Sequence, residues 1–415
     1  MKPPGKVLLV ANNFPPIRGG SARVYENIAR YAGGRVVVVA SRINYIGGLP
    51  LIGWREYDRQ ASFPVHRLNE LRTVLQSGPW RGFVGKLRFR ASDVAIRVRL
   101  VALLLRLIWA EPTDAVCIGE LVASGWLIGI LRRLSSVRTL VYVHGEEVTT
   151  EDEYDPGHDR ARQALLRADR IIVVSRFTQG IVRKLLGPES EQKISLLENG
   201  VDPARFRPQG KRRDLAEQYQ LEDRFVFVSV CRLLQKKGID YAIQAFATVV
   251  RRHPECRYLV VGTGEYEAQL RQIAVDAGLG DSVIFAGDVP EEDLTAHYCL
   301  GDVFVMPNRR LPNGDTEGFG LVFLEANSCH IPVIAGQDGG SRDAVQHGVN
   351  GLVVDGSSIG EITAAMLKIR EDTALRDALR TGAAAVAAAA GWQKKAEIFL
   401  RLCSGSDNSA GQNPV

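Results

Sequence analysis

Short runs of Val, Ile and Leu recur along the chain, and stretches with helical spacing separate them. In the first half the runs are Val7–Val10, Val36–Ala40, Ala115–Ile118, Leu140–Val143, Ile171–Val174 and Ile194–Leu197. In the second half they are Phe225–Val230, Tyr258–Val261, Val283–Phe285, Val303–Met306, Val333–Ala335 and Leu352–Val354. Runs that stay apolar at successive positions predict strands covered on both faces. Between them, Ile239–Val250 places Ile239, Ala242, Ile243 and Phe246 on one helical face. Strand and helix in alternation predict parallel sheets with crossover helices. One sheet would be crowded by all these strands, so two doubly wound sheets of about six strands each are expected.

Punctuation places the boundary near Gly200–Lys211, where Pro203, Pro208 and Gly210 precede a charged run and a new strand. The expected division is 1–205, 206–382, a terminal helix over 383–403 from the alanine run through Trp392 to Leu400, and a disordered tail over 404–415.

Composition narrows the class. The 415 residues are 46% hydrophobic and 24% charged, which excludes wholesale disorder. A net charge of +5 is too small to argue for nucleic acid as a partner. No apolar run reaches membrane-spanning length, and Met1–Val10 lacks the features of a signal peptide. Cys117, Cys231, Cys256, Cys299, Cys329 and Cys403 are scattered, mostly within apolar runs. They read as buried small hydrophobes in a reducing, cytoplasmic setting, with no metal site and no disulfide framework. The acidic loop of Asp152, Glu153 and Asp155 reads as solvated rather than cation-binding.

One segment breaks the alternation. Residues 67–110 hold nine basic side chains against Glu70 and Asp93, a local charge of +7. Trp80, Phe83, Phe89 and Trp109 are interleaved. A basic pair of surface helices, an anionic membrane surface and a nucleic-acid patch are the three readings. The large apolar residues favour the membrane interface over nucleic acid, as a peripheral association.

The sharpest chemistry lies after Val303–Met306, where Glu317-Gly318-Phe319-Gly320-Leu321-Val322-Phe323-Leu324-Glu325 opens a helix near Gly320. Exposed N–H groups at such a helix start, with its dipole, make an anion site. Glu325 follows roughly 8 Å along the axis, so one ligand spanning a phosphate and a hydroxylated ring would reach both ends. Arg232 and Lys237 share the loop after Phe225–Val230, where an open α/β sheet binds ligands and two cations can neutralise a diphosphate. Burial reads as the better account of Cys231, beside them, than a lowered thiol pKa. Further pieces at strand ends are Asn12–Gly20, His144-Gly145, Asn199-Gly200-Val201-Asp202 and Gly262-Thr263-Gly264-Glu265. The last lacks the third glycine and distal acid of a dinucleotide fingerprint.

Taken in order, and with Val174-Ser175-Arg176-Phe177-Thr178 between them, these pieces resemble the retaining nucleotide-sugar glycosyltransferases of family 4. The resemblance implies a GT-B fold, in which two doubly wound, Rossmann-like parallel-sheet domains face a cleft. The first domain would bind the acceptor and the second the nucleotide sugar, and the terminal helix would cross back to the first. It implies that Arg232 and Lys237 hold the donor diphosphate and stabilise the leaving group. Glu317 would meet the sugar hydroxyls, with the backbone of Gly318, Phe319, Gly320 and Leu321 around sugar and phosphate. Glu325 would accept from the ribose, Gly264 and Glu265 would lie toward the base, and Gly19 and Gly20 would admit donor phosphate and acceptor. His144 would sit beside the transferred sugar. No metal is expected, and no enzymic nucleophile is assigned. The long Pro307–Glu317 loop resembles the form in some GDP-mannose-dependent mannosyltransferases, which inclines the reading to mannose, while a UDP donor with glucose or another sugar stays open. The acceptor is expected to be a glycan or a lipid-linked molecule. A catalytically degenerate binding or scaffold protein of the same fold is the rival reading; the intact Arg232, Lys237, Glu317 and Glu325 argue against it.

Overall fold

The computed structural model describes residues 5–44, 48–73, 82–150 and 155–405. It contains two compact units, one made of residues 1–198 with 392–415, the other of 199–391.

The first unit is built on seven strands: β1 (Lys6–Ala11), β2 (Val36–Ser41), β3 (Val65–Leu68), β4 (Thr113–Ile118), β5 (Arg138–Val143), β6 (Arg170–Val173) and β7 (Ile194–Leu196). Their order is β3-β2-β1-β4-β5-β6-β7, and every pairing is parallel. The runs visible in the sequence are the buried strands, and β1, β2, β4 and β5 are almost wholly inaccessible. Helix α1 (Gly20–Tyr31) follows β1 and buries Ala22, Val24, Tyr25 and Ile28. Helix α2 (Gly82–Ala110) is one element of 29 residues rather than a helix pair. It contributes Leu100 and Leu104 to the core shared by Leu8, Val39, Val116 and Val141.

Strand β3 went unread in the sequence because Val65-His66-Arg67-Leu68 has no continuous apolar run. It is the sheet's edge, where one flank has no partner strand to demand it. Arg67 is therefore not part of the surface charge of the 67–110 segment. Its guanidinium is buried, paired with Asp58 at 2.9 Å, and donates to the Ser41 carbonyl at 2.8 Å. Trp80 and Arg81 of that segment lie outside the described residues, as do Asp152 and Glu153. Asp155 is buried and accepts the backbone N–H groups of Arg160 and Ala161, so it secures a helix start rather than a solvated loop.

The second unit carries β8 (Phe225–Val230), β9 (Cys256–Val261), β10 (Val283–Gly287), β11 (Val303–Met306), β12 (Val333–Gly336) and β13 (Gly351–Val354). Their parallel order is β10-β9-β8-β11-β12-β13. Four of its helices matter below: α3 (Ile239–Arg252), α4 (Leu294–Leu300), α5 (Leu321–Ser328) and α6 (Thr373–Ala389).

The expected terminal helix over 383–403 divides. Residues before Ala390 belong to α6, and the chain then turns through Gly391 into α7 (Trp392–Ser404). The alanine run disguises that break, since alanine favours helix on both sides of it. Helix α7 packs on α1 and β4 of the first unit, burying Trp392, Phe399 and Leu402. Its last carbonyls, those of Leu402 and Cys403, each accept from Arg138 at 2.9 Å, which satisfies groups a helix end leaves open. Of the expected tail, Ser404 closes this helix and residues 406–415 lie outside the described residues.

Candidate active site

In each sheet the strand order reverses once. Strand β1 lies between β2 and β4, and β8 lies between β9 and β11. Loops leaving adjacent strands there part in opposite directions, which opens a crevice at the carboxyl ends. The loops after β8 and β11 hold Arg232, Lys237 and Glu317; those after β1 and β4 hold Asn12–Gly19 and Glu120.

In the second unit the sequence-predicted pair is brought together: Lys237 Nζ donates to Glu317 Oε2, with both side chains mostly buried. Lys237 ends a short turn, Gln235–Lys237, that Gly238 closes in the left-handed region at φ 73°. A Cβ on Gly238 would lie 2.0 Å from the Pro307 carbonyl oxygen, so only glycine lets the two loops meet. Arg232 stands exposed on the same loop, its carbonyl accepting from Leu234 N at 2.9 Å and its guanidinium with no ion-pair or hydrogen-bond partner among the described residues. Its fork is available to an incoming anion.

Helix α5 begins at Leu321, one residue beyond the expected start. Gly320 at φ 88° is its N-cap, and no side chain caps it. The first N–H groups of α5 thus retain their capacity for an anion. Phe319 is buried and anchors the turn, while Gly318 and Leu321 are half-exposed. Glu325 points inward, and its Oε2 accepts from the buried Tyr298 hydroxyl at 2.7 Å. Gly264 and Glu265 are exposed on a turn that packs on the Arg232 loop, with Tyr266 N bonded to Leu233 O at 3.1 Å. Burial pushes the Cys231 thiol up to about 12, which leaves it protonated beside the cations.

Three supporting interactions were not legible in the sequence. Arg309 and Asp240 form a buried two-pronged salt bridge of 2.7 and 2.6 Å, with the guanidinium over the Tyr241 ring. Lys236, also buried, reaches Asp315 at 2.8 Å, and Arg309 N donates to Lys236 O at 2.9 Å. Asn308, fully buried, donates to Asp338 O at 2.7 Å and accepts from Gly336 N. These bonds tie the loops after β8, β11 and β12 into one frame that presents Lys237 and Glu317.

The first unit is built differently. His144, at the end of β5, stacks on Tyr142 with 5.1 Å between ring centroids. Its Nε2 lies 2.8 Å from the Tyr25 oxygen, and Tyr25 donates its own hydroxyl proton to the Gly119 carbonyl. Nε2 must therefore carry the proton and donate. Burial lowers the His144 pKa to about 4, so the ring is neutral and Nδ1 is left as an acceptor. Glu120 accepts the backbone N–H groups of Asn12 and Asn13 at 2.7 and 2.8 Å, which fixes the loop before Gly19. Gly19 is the N-cap of α1 and Gly20 its first, exposed residue. Glu147 accepts from Gly145 N at 2.9 Å. Burial raises both carboxyls to about 7. Nδ2 of Asn12 and Oδ1 of Asn13 are buried without a hydrogen-bond partner among the described residues. Tyr25, Glu120 and Glu147 were not singled out in the sequence; Glu120 follows β4 by two residues, so the strand-end rule that found His144 reaches it as well.

Comparison with known proteins agrees with this architecture. The description "Glycosyltransferase Family 4" matches residues 18–205, and "Glycosyl transferases group 1" matches residues 211–386. A GDP-mannose-dependent alpha-(1-6)-phosphatidylinositol monomannoside mannosyltransferase of Mycolicibacterium smegmatis is 34% identical over 87% of this chain and 88% of its own. A GDP-mannose-dependent monoacylated alpha-(1-6)-phosphatidylinositol monomannoside mannosyltransferase of Corynebacterium glutamicum is 28% identical over 96% and 97% of the two chains. Among solved structures, Anabaena HepE in complex with UDP and glucose superposes with a TM-score of 0.73 at 20% identity, covering 96% of this chain and 99% of that one. Sucrose-phosphate synthase of Thermosynechococcus elongatus gives 0.69 at 21% identity, covering 96% and 98%. Those likenesses show the fold, GT-B, and the sequence relatives show the kinship: the chain belongs to the family 4 glycosyltransferases and is a glycosyltransferase.

Proposed function

We propose that this glycosyltransferase moves mannose from GDP-mannose to a phosphatidylinositol-linked acceptor, retains the anomeric configuration and uses no metal ion. The observation that carries the reading is the Lys237–Glu317 pair beside the unpartnered Arg232 and the uncapped start of α5. Cleaving the sugar–diphosphate bond puts negative charge on the departing oxygen, and donors already in place stabilise that charge without reorganising. Two cations and a helix start supply such donors where other enzymes would need a divalent ion. Glu317 holds the Lys237 ammonium in place, and its carboxylate can accept from sugar hydroxyls. In the first unit, the neutral His144 Nδ1 is suited to accept from a hydroxyl. The named activities of the mycobacterial and corynebacterial relatives supply the sugar, the nucleotide and the lipid class.

Helix α2 supports a lipid-borne acceptor. Phe83, Leu87, Val94, Val98 and Trp109 are exposed, Phe83 at 83% and Trp109 at 74%. At 3.6 residues per turn they share one stripe. Lys86, Arg90 and Arg97 flank it on one side, and Arg88, Arg99 and Arg106 on the other. An apolar stripe between basic rows suits the surface of an anionic bilayer. Among the described residues no helix is long and apolar enough to cross a membrane.

The test is transfer of labelled mannose from GDP-mannose to phosphatidylinositol mannoside in anionic vesicles, with and without EDTA. NMR of the product reads the anomeric configuration. Activity that persists in EDTA and yields an α-linked mannoside supports the reading. Preference for a UDP-sugar, dependence on a divalent ion, or an inverted linkage overturns the corresponding part.

A further inference from the structure

The Tyr25 side chain is fully buried and joins three elements of the first unit. It leaves α1 and meets Tyr142 of β5 edge-on, with 5.8 Å between centroids and 89° between planes. It meets His144 edge-on as well, at 5.1 Å and 79°. Its hydroxyl reaches the backbone just past β4, where a Cβ on residue 119 would lie 2.8 Å from that oxygen. Glycine at 119 thus makes room for the hydroxyl to donate to the Gly119 carbonyl. That donation spends the hydroxyl's single proton. Toward His144 Nε2, 2.8 Å away, the same oxygen can only accept. Glu147 fixes the backbone beneath the imidazole, accepting from the His144 and Gly145 N–H groups at 3.2 and 2.9 Å. The stacked Tyr142 ring covers one imidazole face. His144 is half-exposed, and its Nδ1 has no hydrogen-bond partner among the described residues.

A neutral imidazole carries one proton, and what its other nitrogen does depends on where that proton sits. We propose, on the reading that His144 accepts from a substrate hydroxyl, that Tyr25 is a positioning residue: it ties the His144 proton to Nε2 and so keeps Nδ1 a bare acceptor. The polarity originates in the Gly119 carbonyl, which cannot donate, and passes through the Tyr25 oxygen to the ring. Phenylalanine at 25 keeps both aromatic contacts and removes only this polarity. An Nε2–H would then be buried without an acceptor, a state that favours moving the proton to the open Nδ1 side. A donor would stand there in place of an acceptor, and a substrate hydroxyl would have to turn its proton away from the ring.

The first measurement is the ¹⁵N spectrum of histidine-labelled full-length protein at neutral pH. Among the seven histidines, His144 is assigned by its loss in His144→Gln. The expected wild-type pattern is a protonated Nε2 and a bare Nδ1, and in Tyr25→Phe the pair averages or reverses. A wild-type proton on Nδ1 overturns the proposal even if the variant does not fold, and an unchanged pattern in a folded Tyr25→Phe overturns it too. The second measurement is kcat and KM for transfer, with whichever of GDP-mannose and UDP-glucose the wild type turns over. Tyr25→Phe should lower kcat about tenfold. Added to His144→Gln, it should lower kcat no further, because Tyr25 acts through that ring. Additive losses overturn the positioning role and leave the role of His144 standing. Unchanged kcat and KM in His144→Gln overturn the reading that His144 meets a hydroxyl, and the role of Tyr25 with it.

Discussion

The two sheets present crests of opposite chemistry at the same topological position. The second unit places ionised groups there in pairs: Lys237 with Glu317, Lys236 with Asp315, Arg309 with Asp240. The first unit places groups that burial drives toward neutrality: His144, Glu120, Glu147 and Tyr25. A charged ligand is met best by charges fixed in advance, and a hydroxyl-bearing one by neutral donors and acceptors of definite polarity. One topology thus serves two ligand chemistries through the loops it carries.

The largest effect should come from breaking the frame of the charged crest. Arg309→Ala leaves Asp240 buried without its partner, which costs about 3–5 kcal/mol. Thermal or denaturant unfolding will show the loss, and Arg309→Met with Asp240→Leu should recover most of it. A loss under about 1 kcal/mol would mean that water reaches the pair.

Next in size is the chemistry. Lys237→Ala should lower kcat by about 10²–10³-fold, the usual cost of one donor to a developing negative charge. Its melting temperature should also fall, since Glu317 is left mostly buried without this partner, so kcat is compared where both proteins are folded. A drop confined to donor KM would show that Lys237 binds the ground state and the transition state alike.

The neutral crest is sharpened by pH. The folded Glu120 carboxyl titrates near 7 against an ordinary 4.5, so its share of stability is present below 4.5 and is lost as pH rises through 7. The melting temperature of Glu120→Gln relative to wild type should therefore climb between pH 4.5 and 7. His144 runs the other way. Its folded pKa of about 4 against 6.5 gives stability that is full above 6.5 and lost as pH falls toward 4. His144→Gln should gain on wild type over that acid range. Parallel curves for the two variants would remove the distinction between the crests.

The smallest effect is expected at α2, where Phe83→Ser with Trp109→Ser should weaken binding to anionic vesicles severalfold and leave transfer to a water-soluble acceptor unchanged. Flotation at two salt concentrations separates the apolar part from the charged part.

Much of this was readable because local pattern and fold agree. The central strands β8, β11 and β12 of the second sheet are almost wholly buried, which is why their apolar runs stand out in the sequence. Lys237 and Glu317 could be singled out because each follows a strand. Strand β3 escaped because an edge tolerates His66 and Arg67, and Arg67 itself became a buried ion pair that its sequence neighbours do not announce. Arg309 and Asp240 are 69 positions apart, and neither stands in a pattern that names the other.

The first unit is interrupted. Its final helix, α7, is encoded after all of residues 199–391. A ribosome therefore releases the complete second sheet before the helix that seals α1 and β4 exists. The second unit meanwhile has its two ends already fastened, with Val201 N bonded to Ala390 O at 2.9 Å. It has the form of an insert with adjacent termini, so it can be excised or circularly permuted at that seam, whereas the first unit is complete only once α7 has followed it.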